Sequence, residues 1–242
     1  MYIKAQGSRL KIQGTTGSTF FLCLVLWALC LGPWLLAQAP HPVYKDPHHR
    51  QVLYTNFLRV LDVNIPAGET GFEHQHDRDV ATVAIQNART RVRPAGQDWG
   101  PPRERAIGNL NATQYAGTPD AHTIQNIDTF PYRLIAVVNE RESGWTTPAP
   151  LKAPGTTLTQ QTRAFAMYDI RLDAATPQTT HTHEVSTITV LIAGAIENQG
   201  GGGEVPFRMQ QPGRWQITQV GQTHTLSVPA GATAHAVEFE VR

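Results

Sequence analysis

The apolar positions of this chain fall in short alternating runs, with no sustained helical period. Leu58-Arg-Val-Leu-Asp-Val-Asn-Ile65, Val80-Ala-Thr-Val-Ala-Ile85, Arg89-Thr-Arg-Val-Arg93, Tyr132-Arg-Leu-Ile-Ala-Val-Val138 and Ser186-Thr-Ile-Thr-Val-Leu-Ile192 are rich in β-branched residues and bounded by turn formers. Such runs predict strands. Residues 143–162 are rich in Pro, Thr and Gly with no apolar period and read as a linker. The run Gly200 to Gly203 reads as a hairpin loop, since neither Lys-Ser or Lys-Thr nor a helix pattern follows it to make a phosphate cradle. The one long apolar stretch runs from Phe20 to Leu36.

Two of the runs repeat. Leu58-Arg-Val-Leu-Asp62-Val-Asn-Ile65 lies without gaps over Phe165-Ala-Met-Tyr-Asp169-Ile-Arg-Leu172 at an offset of 107 residues, and the same offset carries His74 onto His181 and His76 onto His183. Equal spacing of two His-x-His pairs from equivalent strand patterns predicts a duplicated module. The expected organisation is a first module with its leader over 40–142, a linker over 143–162 and a second module over 163–242. The expected fold class is all-β.

With 242 residues, 40% hydrophobic and 16% charged, the chain is long enough for one large or two small cores. The net charge of +1 carries no basic excess of the nucleic-acid-binding kind. Both cysteines, Cys23 and Cys30, sit in the Phe20–Leu36 stretch, which excludes a disulfide framework, a cysteine nucleophile and a thiolate metal site from the rest. Lys4, Arg9 and Lys11 precede that stretch and Ala37-Gln38-Ala39 follows it, the layout of an export signal. Residues 1–39 are therefore expected to be a signal peptide, with a retained membrane anchor over 20–36 as the alternative. Removing them leaves 17 cations against 19 acids, so nothing predicts a polyanionic partner.

Residues i and i+2 of a strand share one face, so His74 with His76, and His181 with His183, supply two legs of a metal site each. His122, 46 residues after His76, and His235, 52 after His183, are the candidate third legs. Neutral imidazoles suit iron, copper, nickel, zinc or manganese. No general base is assigned.

These residues resemble the motifs of the cupin superfamily, Gly-x5-His-x-His-x3or4-Glu-x6-Gly followed by Pro-x-Gly-x2-His-x3-Asn. The second module shows His181-Thr-His183, Gly194, Pro229-Ala-Gly231 and His235; the first shows His74-Gln-His76 and Gly117-Thr-Pro-Asp-Ala-His122-Thr-Ile-Gln-Asn126. The resemblance spans about residues 50 to 242 and implies a bicupin, two double-stranded β-helix barrels in tandem. The Glu position of the motif falls on Thr187 and Val80, Asn87 stands for the first glycine, and His235 lies four residues beyond Gly231 instead of three. Both sites are accordingly expected to be three-histidine sites.

A three-His face leaves positions open for substrate and dioxygen together, similar to cupin dioxygenases that use Fe(II). The resemblance thus implies a metal-dependent oxidoreductase of dioxygenase type acting on a small organic molecule, with Fe(II) favoured and Mn, Ni, Cu or Zn as alternatives. A non-catalytic small-molecule or sugar-binding cupin, and a zinc or nickel isomerase or lyase, are the other readings. Pairing through edge strands as a homodimer is implied by resemblance alone. Arg89, Arg91 and Arg93 read as a solvated strand face, His224 as surface near the mouth of the second barrel, and His41, His48 and His49 as exposed leader residues. Trp99, Tyr115, Trp215 and Phe239 read as core or rim. Asn111-Ala-Thr113 fits a glycosylation acceptor.

Overall fold

A computed structural model describes residues 40–176, 179–200 and 207–242. The export or anchor segment 1–39 and most of the Gly200 to Gly203 loop lie outside the described residues. Among the described residues no helix is long and apolar enough to cross a membrane.

The first module consists of β1 (His41–Pro42), a 3-10 turn (Val43–Lys45), β2 (His49–Tyr54), β3 (Leu58–Ile65), β4 (His74–His76), β5 (Val80–Ala84), β6 (Ala88–Pro94), β7 (Arg103–Arg105), β8 (Leu110–Thr113), β9 (Asp120–Asn126) and β10 (Tyr132–Asn139). The second consists of β11 (Thr156–Gln161), β12 (Phe165–Leu172), β13 (Thr179–Thr182), β14 (Ser186–Gly194), β15 (Ile196–Gly200), β16 (Phe207–Met209), β17 (Trp215–Thr218), β18 (Thr223–Ser227) and β19 (Ala234–Val241). Each module folds as two facing sheets. In the first the orders are β1-β4-β9-β6-β7 and β2-β3-β10-β5-β8; in the second, β11-β12-β19-β14-β17 and β13-β18-β15-β16. The His-x-His strand lies beside the same neighbour in both, β9 in one and β18 in the other.

Alternation along the repeated strand divides two cores. In β3, Leu61, Val63 and Ile65 fill the first barrel while Leu58 and Val60 point outward; in β12, Ala166, Tyr168 and Ile170 fill the second while Phe165 and Met167 point outward. The outward faces meet. Leu58, Val60, Ile135 and Val137 share one buried cluster with Phe165, Met167, Val237 and Phe239, each such side chain contributing about 1.5–3 kcal/mol. Polar clamps flank this core. Asn139 donates to the carbonyls of Ala164 (3.1 Å) and Arg242 (2.7 Å), and Arg133 donates to Pro212 O at 3.1 Å.

Two segments differ from expectation. The stretch 143–162 contains strand β11, which pairs with β12 at the sheet edge. An edge strand with one face covered needs no apolar run, and Thr-Thr-Leu-Thr-Gln-Gln alternates only between half-buried and exposed. The leader before residue 50 is also structured: β1 runs parallel to β4, and His49 is buried. At the end of β14, Gly194 has φ +80° and a side chain there would strike the Thr233 carbonyl, so the motif glycine answers to a close backbone approach.

Candidate metal centres

In the first barrel β4 presents His74 and His76 and β9 presents His122, which lies directly opposite His74 in the antiparallel register. The three rings are mutually close: centroids are 5.1 Å apart for His74 and His76, 4.9 Å for His74 and His122, and 5.1 Å for His76 and His122. His74 Nδ1 donates to the Phe72 carbonyl at 3.0 Å and His122 Nδ1 to Asp120 Oδ2 at 3.0 Å. Those acceptors place each proton on Nδ1 and leave the Nε2 lone pair free. Burial, reinforced by the neighbouring His74, His122 and His49, holds the His76 imidazole down to about 2. Burial and His74 likewise lower His122, against the pull of Asp120. Lowered in this way, His76 and His122 are the neutral donors that a metal requires.

Asp46 and His49 join this cluster from the leader. The His49 ring meets His74 edge-on at 4.6 Å, and Asp46 Oδ2 lies 3.3 Å from His49 Nδ1 and 3.4 Å from His74 Nδ1. Asp46 also accepts from the backbone N–H groups of His48 and Phe72. Despite its burial, hydrogen bonds from His49 and His74 hold its carboxyl well below the usual range. Asp79 faces elsewhere, accepting from the backbone of Tyr115 and Ala116 (both 2.8 Å) and from Arg163 of the second module (2.9 Å). Tyr115 in turn stacks on His76 at 4.7 Å. The cluster forms one wall of an open cavity of about 130 Å³ whose other walls are mainly aliphatic, with Leu61, Val63, Ile65, Val80, Ile124 and Val138 among them.

The second barrel holds a tighter set. β13 presents His181 with His183 just past its end, β18 presents His224 and β19 presents Glu238; one ligand atom from each lies within 4.8 Å of all the others. His224 Nε2 is 2.8 Å from His181 Nε2 and 3.1 Å from His183 Nε2, and Glu238 oxygens lie 3.5–3.7 Å from the three Nε2 atoms. Behind them His183 Nδ1 donates to Glu240 Oε1 (3.0 Å) and His224 Nδ1 to Asn198 Oδ1 (3.0 Å). With those protons committed, the Nε2 atoms of His183 and His224 face one another, an arrangement relieved by a cation at the centre or by a second proton on His183. Burial opposes a charge on His183, but Glu238 and Glu240 outweigh it and raise the group to about 9; burial brings His224 down to about 4. The residues present therefore fit a metal ion in both barrels.

This arrangement corrects three expectations. His235 is not a ligand: odd positions of β19 point out of the barrel with Val237 and Phe239, and His235 Nε2 pairs with Asp169 at 2.6 Å beside Gly108 of the first module. Its counterpart is Arg133, which holds the repeated Asp62 at 3.3 Å in the same way. Nor is the second site carboxylate-free, because Glu238 reaches it from β19 while Thr187, at the motif position, stays apart from the set. His224 is buried, not on the surface. It lies opposite His181 in register, as His122 lies opposite His74, and 102 residues after His122. A signal for it was present: His122-Thr-Ile and His224-Thr-Leu repeat the same local pattern.

No protein-family model matches the chain, and no curated protein sequence matches it. Solved structures do. Salicylate 1,2-dioxygenase from Pseudoaminobacter salicylatoxidans with gentisate superposes with a TM-score of 0.59 at 12% identity, over 91% of this chain and 79% of that one. A cupin 2 conserved barrel domain protein from Leptotrichia buccalis gives 0.56 at 8% identity over 87% and 94%. The Lactobacillus farciminis oxalate decarboxylase formate complex gives 0.54 at 12% identity over 78% of each chain. This chain has the cupin fold, formed twice as tandem double-stranded β-helix barrels.

Proposed function

We propose that the protein is a metal-dependent oxidoreductase of dioxygenase type that acts on a small organic molecule in the first barrel. The observation that carries this reading is the placement of three clustered imidazoles along one wall of a cavity open to solvent. His74, His76 and His122 would hold the ion, with Fe(II) favoured over Mn, Ni, Cu or Zn. A bound Fe(II) supplies the dioxygen chemistry that no side chain can. The chain's residues do the rest: Phe72 O and Asp120 orient the rings, the aliphatic walls keep bulk water from the substrate, and Tyr115 fixes His76 from behind. The solved dioxygenase with gentisate, similar in fold over most of the chain, agrees with this reading.

The second barrel favours a different role. Its half-buried His181 and buried His183, His224 and Glu238 offer four ligands, one of them charged, and so leave fewer positions open than the first site. A decarboxylase or other Lewis-acid reaction there, needing no oxygen, is the second reading. Oxygen uptake by the iron-reconstituted chain, screened over small organic acids with a His74→Ala/His76→Ala control, tests the first. Uptake abolished in the double variant supports it; turnover persisting without oxygen supports the second, and neither leaves a binding module. Export through residues 1–39 belongs to the same proposal and is checked by fractionation and N-terminal sequencing.

A further inference from the structure

The first-barrel cavity contains one cationic side chain that the metal cluster does not use. Arg105, on β7, points inward from opposite Ala88, and its Nε donates to the buried Thr90 hydroxyl at 3.3 Å. It is half-buried, and among the described residues no carboxylate pairs with it. Arg50 and Arg133 are matched with Asp62, Arg59 with Glu140, and Arg78 with Glu142; of the arginines without a carboxylate partner, Arg105 is the one that lines the cavity. A guanidinium keeps its charge at any working pH, and a charge in an apolar wall is costly unless an anion meets it. Its fork of donors matches a carboxylate.

Size and position define the ligand further. A cavity of about 130 Å³ is close to the roughly 150 Å³ in which an engineered apolar cavity holds one benzene ring. In the sheet β1-β4-β9-β6-β7 three strand spacings of about 4.8 Å, roughly 14 Å, separate β7 from β4. Arginine and histidine side chains close most of that gap from the two ends. We infer that the cavity binds a single-ring organic monocarboxylate, its carboxylate on Arg105, its ring between the aliphatic walls and its far edge toward His74, His76 and His122. This rests on the first barrel being the reacting site, and it adds the substrate class and the residue that selects it.

The test is equilibrium binding, which needs no turnover. Calorimetric titration of the purified full chain with benzoate, and with benzamide as the neutral isostere, is compared with Arg105→Met and Arg105→Lys. The expected result is benzoate binding at least about 30-fold tighter than benzamide, lost by a similar factor in Arg105→Met while benzamide is unaffected. Arg105→Lys should lose about tenfold, keeping the charge without the fork. Equal binding of the two probes, no binding of either, or unchanged benzoate affinity in the folded variants would overturn the inference. Should Arg105→Met fail to fold, the benzoate and benzamide comparison and Arg105→Lys still decide it. Selective benzoate binding with no oxygen uptake on any aromatic acid would sink the dioxygenase reading and leave the Arg105 site standing.

Discussion

Replacing His224 by alanine separates the site the structure builds from the one the motif implies. His224 Nε2 lies 2.8 and 3.1 Å from the Nε2 atoms of His181 and His183, whereas His235 points out of the barrel onto Asp169. Structural metal sites with four protein ligands are worth about 10–16 kcal/mol, about 3 kcal/mol per ligand. Losing one therefore costs about 100-fold in affinity. His235→Ala breaks a partly exposed contact with Asp169, which contributes about 1 kcal/mol or less to folding and nothing to the metal. The assay is competition with a chromogenic chelator in the His74→Ala/His76→Ala background, where only the second site is read. His224→Ala should weaken binding about 100-fold and His235→Ala by less than about threefold. The reverse order would refute the assignment, and so would an unchanged affinity in His224→Ala.

Other predictions follow from the packing and the charges. Phe239 is fully buried in the core shared by the two barrels, so Phe239→Ala should cost about 3–5 kcal/mol in denaturant unfolding and still give one transition; two separate transitions would contradict a common core. Arg163→Met removes the clamp on Asp79, which holds the backbone of Tyr115 behind His76; first-site metal affinity should fall about tenfold, as for other outer-shell partners, and an unchanged value would refute the link. His76, held at about 2, and His224, at about 4, stay neutral in the folded metal-free chain while their unfolded counterparts take up protons below 6.5. Their contribution is thus full above that pH and falls as pH drops, by about 1.4 kcal/mol per unit for each group, while His183, raised to about 9, adds stability that is lost only as pH rises above 6.5. Urea unfolding of the chelated chain at pH 6.5 and 4.5 checks this, and a flat profile contradicts it.

The duplicated alternation made the fold legible, because Leu58–Ile65 and Phe165–Leu172 carry both the barrel-facing and the outward apolar rows in their own spacing. The first histidine cluster was legible for the same reason: His74, His76 and His122 lie on two strands, β4 and β9, that pair directly. What stayed hidden depended on register between distant strands. Whether His224 or His235 enters the second barrel turns on the pairing of β13 with β18 and on the inward phase of β19, which local sequence signals only through the repeated His-Thr-Ile and His-Thr-Leu pattern. Glu238 was missed because the motif puts the carboxylate beside the His-x-His pair, while this barrel takes it from a neighbouring strand, across from Thr189. His49 was read as exposed and Asp46 went unremarked because the leader shows no strand pattern, although β1 and β2 tie it to the barrel.

The central claim is that the two barrels hold metal through matching histidine sets, His74, His76 and His122 in one and His181, His183 and His224 with Glu238 in the other. Mass-spectrometric metal content of the purified chain, after reconstitution and desalting, tests it most directly. The account predicts two ions per chain, one in His74→Ala/His76→Ala and one in His181→Ala/His183→Ala. No bound metal with any candidate ion, or a content that neither double variant lowers, would contradict it.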